Sequence, residues 1–485
     1  MPLDEAGAIA AAEHLLGVQD QERFQLDVLR RYATGKQALP LVIPADAPRE
    51  VREMARISRI NLISIVINSL VESLFVDNLR VTVDDAAEGE PSTPEQVTAP
   101  IWDTWQANRL DRGQSGLYRA VFQYGYAYMV ITAGRPLPVI RPMSPRRMTA
   151  LYADDSDWPE LALERRSKRN RFRLYDATQV YELGYDPDKK RFGLLAEPSA
   201  HGSPYCPVVR YRDVEDLDVD DEPVPHVAQS FGARGDNMVD MVAGQVAPLM
   251  TLQDQSDVTT FALKSAEWYS AFRQRWVVGW TPANPSDKVK SAASQLWTFD
   301  NDPEEVKLGE FSQTMLDGYL ASRKDTARFA ATLSQTPVHE LIGDLVNLSA
   351  EALAAAEAGR DRKVDERKTG LGESHEQLAQ AAGLLQGVEV PDDLEVVWRD
   401  TSARAFGAIV DGLGKLAAQL QIPPEALWER IPGATLQDVR RWKTLRAEGD
   451  SMDALTGLLD RQAAPPEPAP PGGGIVLPPE RRARA

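Results

Sequence analysis

The sequence predicts an α+β, helix-rich fold, and three observations carry that expectation. Residues 236 to 386 read as a helix, a short β-rich loop, a second helix, a break, and then a very long alanine-rich helix. Residues 137 to 211 read as a run of short strands punctuated by Pro, Gly and Asp. Residues 49 to 76 place Ile57, Ile60, Ile63, Ile67, Leu70 and Leu74 on one apolar helical stripe. At 485 residues the chain is too long for one ordinary core, so several lobes are expected.

In chain order, residues 4 to 34 read as a helix closed by Gly35, and residues 49 to 76 as a second helix. Leu79 to Val83 follows as a strand. Residues 98 to 111 form a helix with Ile101, Trp102 and Trp105 on one face. Residues 114 to 124 continue as helix until Gly125 breaks into an apolar strand. The strand-rich region ends in an acidic connection at 213 to 235. In the first long helix Val239, Val242, Val246, Leu249, Val258, Phe261 and Ala262 mark an apolar side, and polar residues such as Gln253, Ser256 and Thr260 decorate the rest. Gly244 and Pro248 predict a kink at its start. Trp276 to Trp280 and Leu296 to Phe299 read as two short strands. The second helix, 311 to 333, spaces Met315, Leu316, Tyr319, Leu320, Phe329 and Leu333 helically until Pro337 ends it.

Ser334 to Leu348 is a break rich in turn residues, and Ser349 caps the long helix 350 to 385, which Gly370 and Gly372 are expected to bend. Leu394 to Trp398 reads as a strand that returns to the first lobe. Ser402 caps a helix with Phe406, Ile409, Val410, Leu413, Leu416 and Leu420 as its apolar positions. Pro424 starts a short helix, and Thr435 with Asp438 marks the next. The Pro- and Gly-rich tail from Gln462 is read as disordered.

Net charge is −18, so a broad phosphate-gripping surface is not expected, whereas an acidic wall that lets a polyanion slide is physically sensible. The N-terminus carries early acids and no basic region ahead of an apolar stretch, which argues against a secretory signal. No uninterrupted apolar run approaches the roughly 20 residues of a membrane span. The single cysteine, Cys206, suits a reducing compartment and is read as a buried small residue. Gly35-Lys36 and Gly414-Lys415 lack the remaining positions of a phosphate-binding loop, so no ATP motor is expected. Asp216, Asp218 and Asp220 have calcium-loop spacing, but Asp221 replaces the turn glycine and position 227 is Val, so they read as a solvated acidic loop. His14, His201, His226, His339 and His375 show no metal spacing. Arg165, Arg166, Lys168, Arg169, Arg171 and Arg173 form the strongest basic cluster, read as a solvated hairpin, with a macromolecular contact as the alternative.

Three stretches carry a family resemblance: RISRINLISIVINSLVESLFVDNLRV (56 to 81), WQANRLDRGQSGLYRAVFQYGYAYMVI (105 to 131) and TPVHELIGDLVNLSAEALAAAEAGRDRKVDERKTGLGESHEQL (336 to 378). Together they resemble tailed-bacteriophage portal proteins, particularly those of long-tailed phages of actinobacteria. The resemblance implies a portal fold assembled as a ring of about twelve subunits around an axial DNA tunnel. It implies a wing at 1–235, a stem helix at 236–266, a clip at 267–309 and a second stem helix at 310–333. A tunnel loop at 334–348, a spine helix with return strand at 349–401, crown helices at 402–462 and the tail at 463–485 complete it.

The implied role is structural and non-enzymatic: a conduit for double-stranded DNA at one capsid vertex, and a nucleator of head assembly. The implied partners are further copies of the chain, the viral DNA, the terminase large subunit, the head–tail adaptor, and the major capsid and scaffolding proteins, with no membrane and no cofactor. The implied location is the virion, and the host cytoplasm during assembly. The channel candidates are Arg323, Lys324, Arg328, His339 and Asn347. The clip and partner candidates are Arg273, Arg275, Trp276, Trp280, Lys288, Lys290 and Trp297. The alternatives are an enzyme with an unrecognised active site, or another head–tail connector component.

Overall fold

The computed structural model describes residues 2–81 (except 42 and 45), 94–214 (except 154, 155 and 169), 244–271, 275–279, 307–310, 315–343, 350–399, 401, 406–428, 431, 434, 438–439 and 441–446. Two compact units result, one over Met1–Ala405 and one over Phe406–Ala485.

In the first unit, α1 (Glu5–Ala33) starts at Asp4, whose side chain accepts the Gly7 N–H at 2.7 Å and supplies the missing partner of a helix N-terminus. The predicted helix over 49 to 76 is instead two: α2 (Arg49–Ile57) and α3 (Leu62–Glu72). Asn61 interrupts the apolar stripe by capping α3 through the Ser64 N–H at 3.0 Å. The stretch Arg49–Glu72 is long and apolar enough by composition to cross a membrane, yet it is broken at this cap, and α3 is buried in the protein core. β1 (Val76–Arg80) starts earlier than the expected Leu79. α4 (Pro94–Ala107) and α5 (Leu110–Tyr124) are separated by Arg109 in left-handed geometry. Gly125, at φ 89°, ends α5 with the left-handed turn glycine adopts readily.

β2 (Tyr126–Thr132), β3 (Val139–Met143), β4 (Met148–Tyr152), β5 (Pro159–Arg165), β6 (Arg171–Tyr175), β7 (Gln179–Asp186), β8 (Arg191–Leu194), β9 (Ser199–Ala200) and β10 (Val208–Arg212) follow. They form two antiparallel sheets, β10-β2-β3 and β4-β5-β6-β7-β8, with β9 alongside β7. The layering follows from the period-2 pattern. One face of the larger sheet buries Leu163, Phe172, Leu174, Tyr181 and Leu183 against Ala8, Ala12 and Leu15 of α1. Its other face meets Tyr126, Tyr128 and Val130 of β2. The alternate β2 residues Ala127, Met129 and Ile131 turn to the helices, so β2 is apolar on both sides.

A 3-10 turn at Ala247–Leu249 leads into α6 (Met250–Ala271), in keeping with the expected irregularity near Pro248. β11 (Arg275–Val278) pairs with β12 (Lys307–Glu310), a strand not anticipated, while the expected strand at 296–299 lies outside the described residues. α7 (Asp317–Ser334) packs along α6. The break expected at 334–348 contains a helical turn, α8 (Val338–Ile342), started by Pro337 and closed by Gly343 in left-handed geometry.

α9 (Ala350–Gln386) is 37 residues long and runs as one continuous helix through Gly370 and Gly372. The intervening Leu371, with Val364 and Leu378, anchors it in the core. β13 (Glu395–Trp398) returns to the first lobe as expected and pairs antiparallel with β1. In the second unit, α10 (Phe406–Leu420) and α11 (Pro424–Leu427) precede helical residues 441–446. There Trp442 meets Trp428 edge-on at 6.3 Å between ring centroids, and Arg446 pairs with Glu425. Ser402, Thr435 and the tail from Gln462 lie outside the described residues.

Candidate channel and partner surfaces

The seating of α6 on the lobe is largely polar. Gln253, Ser256, Asp257 and Thr260 are buried, whereas Val258 and Phe261 are half-buried. The cause is the chain break between α2 and α3, whose backbone groups have no helical partners. Gln253 accepts the Leu62 N–H at 2.9 Å and donates to the Ile60 carbonyl. Asp257 accepts the Ile60 N–H at 3.2 Å and the Gln37 side-chain N–H at 2.8 Å. Burial holds the Asp257 carboxyl above its ordinary pKa, partly offset by these donors. Asp254, one turn away, accepts the Tyr32 hydroxyl at 2.8 Å.

A second polar cluster ties α9 to the ends of β10 and α7. Arg367 donates to Asp213 at 2.7 Å, and Gln245 donates to the same carboxylate. Lys363 donates to the Ser334 carbonyl at 2.8 Å, one of the carbonyls a helix end leaves unpaired, and also to Gln245. Burial lowers the Lys363 pKa to about 8. Arg360 holds α8 to α9 through Glu340 at 2.6 Å.

α7 packs by its small residues rather than its large apolar ones. Its buried face is Thr326, Ala327, Ala330, Ala331 and Ser334, small side chains that let α6 approach closely. Met315 (82% exposed), Phe329 (64%) and Leu333 (55%) stand in solvent. The three predicted channel cations divide: Lys324 and Arg328, one turn apart, share an exposed flank, and Arg323 sits half-buried on the adjoining side. Arg328 is paired with Asp325 at 2.9 Å. His339 is half-buried on α8, on a different element from the cations, and Asn347 lies outside the described residues.

Among the partner candidates, Arg275 and Trp276 lie in β11, and Trp276 is 37% exposed. Its indole covers Gly309 across the ladder so closely that a Cβ there would sit 2.2 Å from a ring carbon, which is why a glycine stands in the strand. Arg273, Trp280, Lys288, Lys290 and Trp297 lie outside the described residues. The basic cluster is a hairpin, with Arg166 bound to Glu164 at 2.9 Å and Arg165 to Asp20 at 2.9 Å.

His375 is fully enclosed by aromatic rings. Its ring nitrogens meet the Tyr118 hydroxyl at 2.8 Å and the Tyr211 hydroxyl at 3.0 Å, and burial lowers its pKa to about 3. It joins α9 to α5, β10 and Trp398 of β13 as a neutral packing element. Cys206 is buried, and burial pushes its thiol pKa up, away from thiolate chemistry. Among the described residues no group of three or more His, Cys, Asp or Glu could hold a metal ion. The polar anchors of α6 and α9 were missed by sequence reasoning. The i, i+4 pair Gln253 and Asp257 was the available signal, but its partners lie nearly 200 residues away.

The class of protein these features define is a large helix-rich α+β protein built on one long helical excursion from a layered lobe. The chain belongs to the phage portal protein family, SPP1 Gp6-like, whose model matches residues 12–451. The portal protein of Mycobacterium phage D29 is 24% identical over 475 residues, covering 93% of this chain and 90% of that protein. The portal protein of Mycobacterium phage L5 is 24% identical over 464 residues, covering 89% of each. Among solved structures, a chain from the neck of an empty gene transfer agent (GTA) particle is 12% identical with a TM-score of 0.42, covering 78% of this chain and 91% of that one. A chain from the neck of a native GTA particle is 13% identical at a TM-score of 0.40, covering 82% and 95%.

Proposed function

We propose that this chain closes into a ring of about twelve copies at a single capsid vertex and forms a non-enzymatic conduit for double-stranded DNA during packaging and ejection. In that reading the terminase large subunit and then the head–tail adaptor dock at the β11–β12 end, and the lobe built on β1–β10 meets capsid and scaffolding proteins while heads nucleate and assemble in the host cytoplasm. α6 and α7 are the stem, residues 334–348 the tunnel segment, α9 the spine, and 402–462 the crown. The observation that carries the reading is the family match over residues 12–451. The exposed apolar side chains of α7 support it, because a surface bearing Phe329 and Leu333 is stabilised by burial against a neighbouring copy.

Weak, sequence-independent contact with DNA is assigned to Lys324 and Arg328, with Arg323 on the adjoining side of α7 and His339 on α8 as further candidates. A few cations in a protein of net charge −18 favour sliding over gripping. Native mass spectrometry of the purified 53.6 kDa chain, with class averages from electron microscopy, tests the assembly. Closed rings with a central hole support it. A monomer at high concentration that turns over substrate in an activity screen would replace it with the enzyme reading.

A further inference from the structure

The larger sheet gathers cations from separate hairpins at one end. The β5–β6 turn carries Lys168 and leads into Arg171, the β7–β8 turn carries Lys189 and Lys190 and leads into Arg191, and Arg147 stands at the start of β4. Pairing places them together. Arg171 opposes Gly184, Asp186 opposes Arg191, and the Tyr185 N–H donates to the Asn170 carbonyl at 2.9 Å, so both turns leave the same end of the sheet. Arg147 bonds the Arg165 carbonyl at 3.2 Å and the Ser167 hydroxyl at 3.3 Å, which brings β4 to the same end. Two turns separated by two strand spacings lie about 10 Å apart.

All six side chains are exposed. Lys189 reaches Asp186 only at 3.8 Å, and among the described residues no ion pair is formed by Lys168, Arg171, Lys190 or Arg191. The remaining carboxylates nearby are largely engaged: Asp20 with Arg165, Glu164 with Arg141 and Arg166, and Asp186 with the turn N–H groups of Asp188 and Lys189. Asp188 is exposed among the lysines.

We infer that this end of the sheet is a docking surface for an acidic segment of a partner protein. Charge complementarity selects the partner, since the six cations stand out on a chain of net charge −18. Three features favour a protein segment over nucleic acid. The patch is short, about 10 Å between turns, and matches a few carboxylates better than a phosphate track. Asp186 occupies the N–H groups of the β7–β8 turn, so the backbone donors that commonly hold phosphate are absent there. Long-range repulsion from the whole chain also grows with the charge of the ligand. The surface stands independently of the ring reading, because it is defined within one copy.

The test is a fluorescence-anisotropy titration of the full-length protein with a labelled oligoglutamate peptide and, separately, a short DNA duplex, at low and physiological salt. The variant K168E/K190E/R191E reverses three exposed cations that make no ion pair among the described residues. R31E/R49E/R52E applies the same change of net charge elsewhere on the chain. Circular dichroism establishes that both fold. The expected result is peptide binding that weakens at least about tenfold in the first variant and less than about twofold in the second. Equal losses in both variants, or no peptide binding by the native protein, overturn the inference. Duplex binding stronger than peptide binding, and lost only in the first variant, overturns it in favour of a nucleic-acid surface.

Discussion

Replacing Gln253 by Leu tests whether α6 is held to the lobe by polar pairing. Gln253 is buried, and its amide accepts from Leu62 N–H at 2.9 Å and donates to Asp257 at 2.9 Å and to the Ile60 carbonyl. Leucine has similar bulk but none of these bonds, so the Leu62 N–H and the Ile60 carbonyl keep only their mutual contact at 3.2 Å and the Asp257 carboxylate loses a donor. The two bonds to the backbone contribute about 0.5–1.5 kcal/mol each and the bond to the carboxylate about 1.5–3 kcal/mol, for a loss of about 2.5–6 kcal/mol before the gain from burying the leucine, which is about 1.5–2 kcal/mol. The expected net destabilisation is therefore about 1–4 kcal/mol. Urea unfolding followed by circular dichroism measures it, and hydrogen exchange at the Leu62 and Ser64 amides localises it. A variant as stable as the native protein within about 0.5 kcal/mol, or unchanged exchange at those amides, would refute the reasoning.

The other predictions use the same logic. His375 keeps its proton off until about pH 3, against 6.5 in an ordinary histidine, so the unfolded chain binds the extra proton between those values. Stability is therefore fully present above pH 6.5 and declines as pH falls through this window. His375→Phe should flatten that part of a melting-temperature profile. Glu22 behaves in the opposite sense: burial raises its pKa from 4.5 to about 7, against the opposing effect of the hydrogen bond from the Tyr126 hydroxyl, so stability is fully present below pH 4.5 and declines as pH rises through 7. Glu22→Gln should raise the melting point at pH 8, by about 1–3 kcal/mol in stability, and leave it unchanged near pH 4. Gly309→Ala should displace the Trp276 indole, read as a change in its fluorescence. Phe329→Ser with Leu333→Ser should shift native mass spectra from rings to smaller species while leaving the far-ultraviolet spectrum intact.

The sequence made the returning strand legible, because the short apolar run ending in Trp398 has nowhere to lie except beside another strand. The strand-rich region was equally plain, each apolar run ending in its own turn residues. The α2–α3 break was hidden, since Asn61 caps a helix while sitting inside an otherwise unbroken apolar stripe. For α7 the helical period was legible, but not which side packs: the close approach to α6 selects the alanines and leaves Phe329 outward. The polar seat of α6 was illegible for a different reason. Buried Gln and Asp are stable only where distant backbone groups meet them, and no local pattern encodes that meeting. Of the candidate site residues, Arg275, Trp276, Arg323, Lys324, Arg328 and His339 fall on described elements, and they lie on three of them rather than on one surface.

The β1–β13 ladder joins residues more than 300 positions apart, with Val76 opposite Trp398. Everything from β11 through β12 is thereby a loop planted by both feet: the outgoing strand β10 is woven into one sheet and the incoming strand β13 into another. Such a staple does not depend on continuity at its tip. A chain severed between residues 279 and 307 keeps each fragment rooted in the lobe and keeps α6 against α7, so two separately made polypeptides should reassemble into one protein.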